Sequence, residues 1–213
     1  MYARKVQGKE LTFQVSGKLW QRSLVMRDLE TETLWSHLLG RGMQGELEDV
    51  ELETFPAAMT TWGEWKERHP KTTLLAMPRT VREYDEGQWE DPDRFVFGIL
   101  LGFGKPAPAV GLKRLQQKEI VMVLAGEINL VVTFLEEGGS VQAFYTMMDN
   151  QSLTFHSEGD RKMKDEETGS EWDRISGEAV SGSMKGKKLK PVSGTISFRK
   201  AWEAFYPDDK ILK

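Results

Sequence analysis

DLETETLWSHLLGRGMQGELEDVEL, residues Asp28 to Leu52, and the run TTWGEWKERHP (Thr60 to Pro70) that follows it decide the fold, because both occur twice. The second copies are DEETGSEWDRISGEAVSGSMKGKKL (Asp165 to Leu189) and SFRKAWEAFYP (Ser197 to Pro207), and they align without a gap. Trp35/Trp172, Gly40/Gly177, Gly45/Gly182, Trp65/Trp202 and Pro70/Pro207 all differ by 137. Asp28/Asp165, Glu30/Glu167, Thr31/Thr168, Leu52/Leu189 and Leu75/Leu212 keep that register. Ten of forty-eight aligned positions are therefore identical, where composition alone gives about three. An internally duplicated chain is expected, with copy one at 1–75, a connecting segment and meander at 76–142, and copy two at 143–213, all within one domain.

Working upstream, YARKV and ELTFQVSG read as a hairpin around Gln7-Gly8-Lys9. LTFQVSG (Leu11 to Gly17) returns as LTFHSEG (Leu153 to Gly159) at an offset of 142, so the first copy carries five extra residues within KLWQRSLVM, where Ser23 to Arg27 reads as a strand. The Asp-x-Glu-Thr core reads as a hairpin turn, with Asp bonding backbone amides two residues on. Gly169 suits a left-handed turn position there, whereas the first copy has Glu32. The Gly-x(4)-Gly spacings in GRGMQG and GEAVSG lack the Lys-Ser/Thr of a phosphate loop and fit bulges in curved strands better. VELETF and KKLKPV read as short strands.

Downstream, Thr61 with Glu64 forms a capping box for a helix over Thr60 to His69, stopped by Pro70. In the second copy Ser197 is the expected cap, and Pro207 the stop. Between the copies lies an irregular acidic passage, REYDEGQWEDPDRF, then a loop signal, GKPAPAVG. KEIVMVLAG, EINLVVTFLEE and SVQAFYTMM follow as a β-meander, with LTFHSEG as its fourth strand. The expected fold is mainly β with short helices (α+β), in pseudo-twofold hairpin-strand-helix units sharing the central meander.

Composition narrows the function classes. A 213-residue chain with 39% hydrophobic residues can bury a real core. The balance of 29 basic and 33 acidic residues, with KGKKLK (Lys185 to Lys190) the one basic cluster, argues against a nucleic-acid partner. With no Cys, disulfides, thiolate zinc sites and thiol catalysis are excluded. The start MYARKVQGKE has no apolar signal region, and FVFGILLGF (Phe95 to Phe103) is too short to span a bilayer. A soluble chain is expected, exported only if a signal lies upstream.

The combination of LTFQVSGKLWQRSLVMRDLETETLW, G-x(4)-G, TTWGEWKERHP, a later W-x(4)-G-x(4)-G and the closing AWEAFYP resembles the bacterial domain-of-unknown-function family 3179 over nearly the whole chain. The resemblance implies no established activity. It also implies paired Cys in many relatives near the strand matching Val132 to Leu135, where this chain has Phe134, so thiol-based metal or redox chemistry does not carry over.

Two readings of function follow. One is a non-catalytic binding or scaffold protein with no cofactor, its partner an unknown small molecule or protein. The other is a metal-assisted, hydrolase-like enzyme: Asp28, Glu30, Asp165 and Glu167, with His37, His69 or His156, would hold a hard divalent cation if the copies face each other. The residue pattern favours solvated turns over such a site, since no two His are spaced i, i+4 and none has a His counterpart in the other copy. The repeated Trp residues are expected as core anchors, with an aromatic platform for a sugar or peptide as the alternative. The strand at Tyr2 to Val6, which begins copy one without the meander strands of copy two, is expected to be covered by the meander in one fused sheet, by another subunit, or by an upstream region.

Overall fold

The computed structural model describes residues 1–57, 60–74, 91–102, 104–136, 139–159 and 161–212. Leu75, one member of the Leu75/Leu212 pair, and most of the acidic passage, up to Glu90, lie outside these residues. The chain is mainly β, with three α-helices among the described residues.

The first segment opens with β1 (Lys5–Val6) and β2 (Lys9–Glu10), joined through Gln7 and Gly8, both at positive φ. β3 (Phe13–Trp20), β4 (Ser23–Asp28), β5 (Leu34–Ser36) and β6 (Arg41–Gln44) then make one antiparallel sheet in chain order. The helix α1 (Trp62–Arg68) follows, its N-cap Thr61 accepting from the Glu64 amide as the capping box requires.

The middle of the chain supplies β7 (Phe95–Leu100), β8 (Ala109–Gly111), the short helix α2 (Leu112–Gln117) and the meander β9 (Ile120–Ala125), β10 (Ile128–Leu135) and β11 (Ser140–Tyr145). The second segment continues with β12 (Met147–Met148), β13 (Gln151–Ser152), β14 (Phe155–Ser157), β15 (Lys162–Asp165) and β16 (Glu171–Asp173). β17 (Ser193–Phe198), helix α3 (Arg199–Phe205) and β18 (Ile211–Leu212) close the chain, and β17, β7, β8 and β18 form a four-stranded sheet in that order.

Several strand pairings recur between the two segments. Lys5 opposite Glu10 and Val6 opposite Lys9 become Met147 opposite Ser152 and Met148 opposite Gln151, each shifted by 142. Met26 opposite Trp35 becomes Met163 opposite Trp172, shifted by 137. The stretches read as strands, VELETF and KKLKPV, form single bridges instead. These are Arg41 to Glu51 and Tyr2 to Thr54 in one segment, and Glu178 to Lys188 and Phe144 to Pro191 in the other.

Each segment closes around a fully buried Trp. Trp35 packs with Val6, Leu11, Leu47 and Leu52, and Trp172 packs with Leu153, Phe155, Met163 and Leu189. An edge-on Phe sits at 5.6 Å from Trp35 (Phe13) and at 5.8 Å from Trp172 (Phe155). Gly40 and Gly177 both take φ near +65° (63° and 67°), and a Cβ there would strike the ring of Tyr2 or Phe144. The glycine spacing therefore serves a close approach in the core. Glu32 stands at φ 57° where Gly169 stands at 68°, so the two turns share one geometry although a non-Gly residue pays about 1 kcal/mol for it.

Three expectations need correction. The meander is not fused to the first segment, because β9, β10 and β11 form a sheet of their own. One of its faces buries Leu130, Val132 and Phe134 against Phe97, Ile99 and Leu115, and the other places Val131 in the Trp172 core. LTFHSEG is not a meander strand, since β14 pairs with β15. Ser197 does not cap α3: it lies in β17 opposite Val96, and Phe198 holds the cap position without a side-chain bond.

Each helix reaches across to the other segment. Trp202 of α3 is buried with Leu38 of the first segment, and Phe205 stacks edge-on against Trp20 at 4.8 Å. In return, Arg68 of α1 forms a bidentate pair with Asp173 of the second segment at 3.1 and 3.2 Å, and Arg161 grips Glu64. Thr60, just before α1, accepts from Ser140 of the meander at 2.8 Å. The positions correspond across the exchange: Glu64 bonds Arg161, and their counterparts Ala201 and Leu24 line one cleft.

We expect Trp202→Ala to cost about 3 to 5 kcal/mol in thermal or denaturant melts, because Trp202 has no exposed surface. Trp65→Ala should cost clearly less, since its ring is half-buried and its indole N–H meets only Thr72 at 3.1 Å. Equal losses would contradict this packing.

Candidate functional site

The predicted carboxylates come first. Asp28 and Asp165 have no exposed surface. Asp28 accepts from the Thr31 amide at 2.5 Å, the Thr31 hydroxyl at 2.9 Å and the Trp35 indole at 2.8 Å. Asp165 repeats the set with the Thr168 amide at 2.5 Å, its hydroxyl at 2.9 Å and the Trp172 indole at 2.8 Å. Burial alone pushes the Asp28 carboxyl up, but the Trp35 and Thr31 donors outweigh it and hold it below the usual carboxylate range. Glu30 and Glu167 are exposed, and each accepts one backbone amide, Thr12 at 2.7 Å and Thr154 at 2.8 Å. The two Asp bond within their own turns, and the two Glu link each Asp-x-Glu-Thr loop to Thr12 or Thr154, just before β3 and β14.

The histidines are separate from them. Burial, and then the N-terminal ammonium, hold His37 below the usual imidazole value, and its carbonyl accepts from the Tyr2 hydroxyl at 2.8 Å. His69 caps α1 and lies tilted against Trp65, with ring centroids 4.1 Å apart. His156 is exposed, 4.0 Å from Glu158. Among the described residues, no three His, Asp or Glu side chains come together as a group able to hold a metal ion. The position matching His37 is Arg174, to which the sequence alone assigns no role. It is fully buried and bonds Glu119 at 2.7 Å, the Lys162 carbonyl at 2.9 Å and the Gly159 carbonyl at 2.6 Å, fastening the second segment to the start of the meander.

The remaining repeated residues lie in the core, in turns or at helix ends. Gly45 and Gly182 press against Thr33 and Ser170, whose hydroxyls accept the Leu47 and Met184 amides, each at 3.1 Å. Pro70 and Pro207 follow the helix caps His69 and Tyr206. Trp35, Trp172 and Trp202 are core, which removes them as ligand platforms; Trp65 alone of the four lines a cleft.

What the sequence did not reveal is a pair of clefts where each helix meets the opposite segment. The first, of about 350 Å3, lies between Tyr2, Leu39, Gly40 and Thr54 on one side and Leu100, Ala107, Phe205 and Tyr206 on the other, with Arg41, Glu51 and Lys105 around it. Burial pushes the Tyr2 phenol up to about 12, and burial together with the nearby Tyr2 raises Tyr206 as well, so both keep their hydroxyl protons at neutral pH. The second cleft, of about 320 Å3, lies between Trp65, Arg68 and His69 and the surface of Gln142, Phe144, Ser176, Lys188 and Pro191. The two are built from matching positions: Tyr2 and Phe144, Leu39 and Ser176, Glu51 and Lys188, Thr54 and Pro191, Tyr206 and His69. Arg68 is not free in the second, being shared by Glu64 and Asp173. The signal for these clefts was present only as the helix register, which does not say on what a helix packs.

The edge at Tyr2 to Val6 is bounded within its own segment. Val6 pairs with Lys9, the Ala3 amide donates to Glu53 at 2.8 Å, and the Phe55 amide donates to Met1 at 2.8 Å. No helix among the described residues is long and apolar enough to cross a membrane.

Neither the curated proteins nor the solved structures searched contain a match. One family model does match, described as "Protein of unknown function (DUF3179)", and it does so twice, over residues 1–100 and 85–213. No activity comes with that match, and together the two stretches span the sequence: the chain belongs to the DUF3179 family.

Proposed function

We propose that this is a non-catalytic binding protein that holds a small molecule where its helices cross to the opposite segments. The observation that carries this reading is the first cleft. A concavity of about 350 Å3 with apolar walls and a few convergent polar groups has the size and chemistry of a ligand site. Tyr206 gives it a protonated hydroxyl beside aliphatic surface, the Tyr2 hydroxyl being held by the His37 carbonyl, while Glu51 and Lys105 supply one charge of each sign. Asp28 and Asp165 support the same reading, because their hydrogen bonds leave them committed to the turns rather than open to a metal ion or substrate. The metal-assisted hydrolase reading gains no support from this geometry.

In this reading the segments 1–75 and 143–213 are an internal duplication in pseudo-twofold arrangement, and the chain is one indivisible domain. The constant registers, the two family matches and the exchanged helices support it. An exchanged helix leaves each segment without one wall of its cleft when the other is absent. Residues 1–77 expressed alone should therefore lack a cooperative melt, and a stable monomeric fragment would sink the single-domain reading.

A fragment library followed by NMR tests the binding reading. Binders should shift the signals of Tyr2, Leu39, Thr54 and Tyr206 together. For binders that reach its hydroxyl, Tyr206→Phe should weaken affinity about two- to tenfold without moving the melt, the worth of one neutral hydrogen bond. If no fragment perturbs either cleft, the proposal fails.

A further inference from the structure

We infer that the second cleft takes a small organic carboxylate with an apolar body, bound through the side-chain amide of Gln142; this rests on reading the clefts as binding sites. The face of β11 toward α1 carries Ser140, Gln142 and Phe144, because side chains two apart share a side of a strand. Ser140 is satisfied by Thr60, and Thr133, directly opposite Gln142 on β10, donates to the Arg174 carbonyl at 2.7 Å. Gln142 differs from both. It is only 7% exposed, it lines the cleft, and among the described residues its Nε2 has no hydrogen-bond partner. Buried donors without an acceptor are rare in folded proteins, and one in the wall of a cavity points to an acceptor that arrives from outside.

The surroundings decide which acceptor. An amide nitrogen only donates, so its partner presents oxygen lone pairs. Lys188 stands in the same cleft and makes no ion pair among the described residues, which supplies the charge to balance an anion. The guanidinium of Arg68 is taken by Glu64 and Asp173, so the site offers one available lysine ammonium and suits a monoanion better than a phosphate. Trp65, Phe144 and Pro191 provide an apolar and aromatic wall for the rest of the molecule. A carboxylate can bond the Gln142 amide through one oxygen and face Lys188 with the other.

Benzoate is a suitable probe, with benzylammonium as the control of similar size and opposite charge. In the full-length protein, benzoate should shift the Gln142 side-chain amide and the Trp65 indole signals, and bind at least about tenfold more tightly than benzylammonium. Gln142→Leu should lose benzoate about tenfold while melting no lower than the parent, because it removes an unpaired buried donor. Should that variant fold poorly, Lys188→Met, at an exposed position, should weaken benzoate at least about threefold. Benzoate binding that is unchanged in Gln142→Leu or Lys188→Met overturns the assignment while leaving the cleft a binding site. So does benzylammonium binding as tightly as benzoate. A melt lowered in Gln142→Leu with no benzoate effect in the parent means that a fixed water satisfies the amide, which overturns it as well. If no probe or fragment touches either cleft, the binding reading falls with it.

Discussion

A carboxylate with no exposed surface, held by the indole N–H of a Trp seven residues later, is the interaction on which the rest depends. Burying an unpaired carboxylate is prohibitively unfavourable, so Asp28 and Asp165 can be buried only because the amide and hydroxyl three residues on and the indole converge on them. That convergence fixes the turn and aims the Trp ring into the core. The ring then defines where Leu11, Leu52 and Phe13 pack in one segment, and Leu153, Leu189 and Phe155 in the other. Gly40 and Gly177 complete the arrangement by letting an aromatic ring, Tyr2 or Phe144, lie against the backbone.

The exchanged helices stand on these platforms with different chemistry. α3 is held by apolar burial, with Trp202 against Leu38 and its indole donating to the Ala107 carbonyl at 3.2 Å. α1 is held largely by charge: Glu64 between Arg68 and Arg161, and Arg68 again on Asp173. For Glu64 and Asp173 alike, burial raises the carboxyl and the arginine bonds more than compensate, so both sit below the usual range. Unfolded carboxylates protonate near pH 4, so the stabilisation these groups and Asp28 supply is fully present above that pH. It is lost as the pH falls further, through the depressed folded values. The same geometry creates the clefts, which are the gaps left between a short helix and the strand ends it crosses.

Much of this was legible in the sequence because it is local. The constant offsets, the hairpin at Gln7-Gly8, the Thr61 capping box and the alternating strands of the meander are written within a few residues of one another. The turn role of Asp28 was readable from Asp-x-Glu-Thr, but its bond to Trp35 was not, since spacing alone does not say that an indole turns back on a carboxylate. The exchange of helices was illegible for the same reason. An amphipathic run shows which face is apolar, not which segment covers it, and Ser197 as a cap failed because pairing with Val96 extended β17 past it. Gln142 and Arg174 are polar letters in unremarkable positions until the fold buries them.

Amide hydrogen exchange in Trp35→Phe and Trp172→Phe tests most directly the claim that each helix belongs, in space, to the opposite segment. Each substitution leaves a buried carboxylate without its indole donor and loosens one segment. The bonded amides of Trp65 and His69 report on α1, and that of Tyr206 reports on α3. The account predicts that Trp172→Phe lowers protection more in α1 and that Trp35→Phe lowers it more in α3. The opposite pattern, with each helix following the segment that precedes it in sequence, would contradict it.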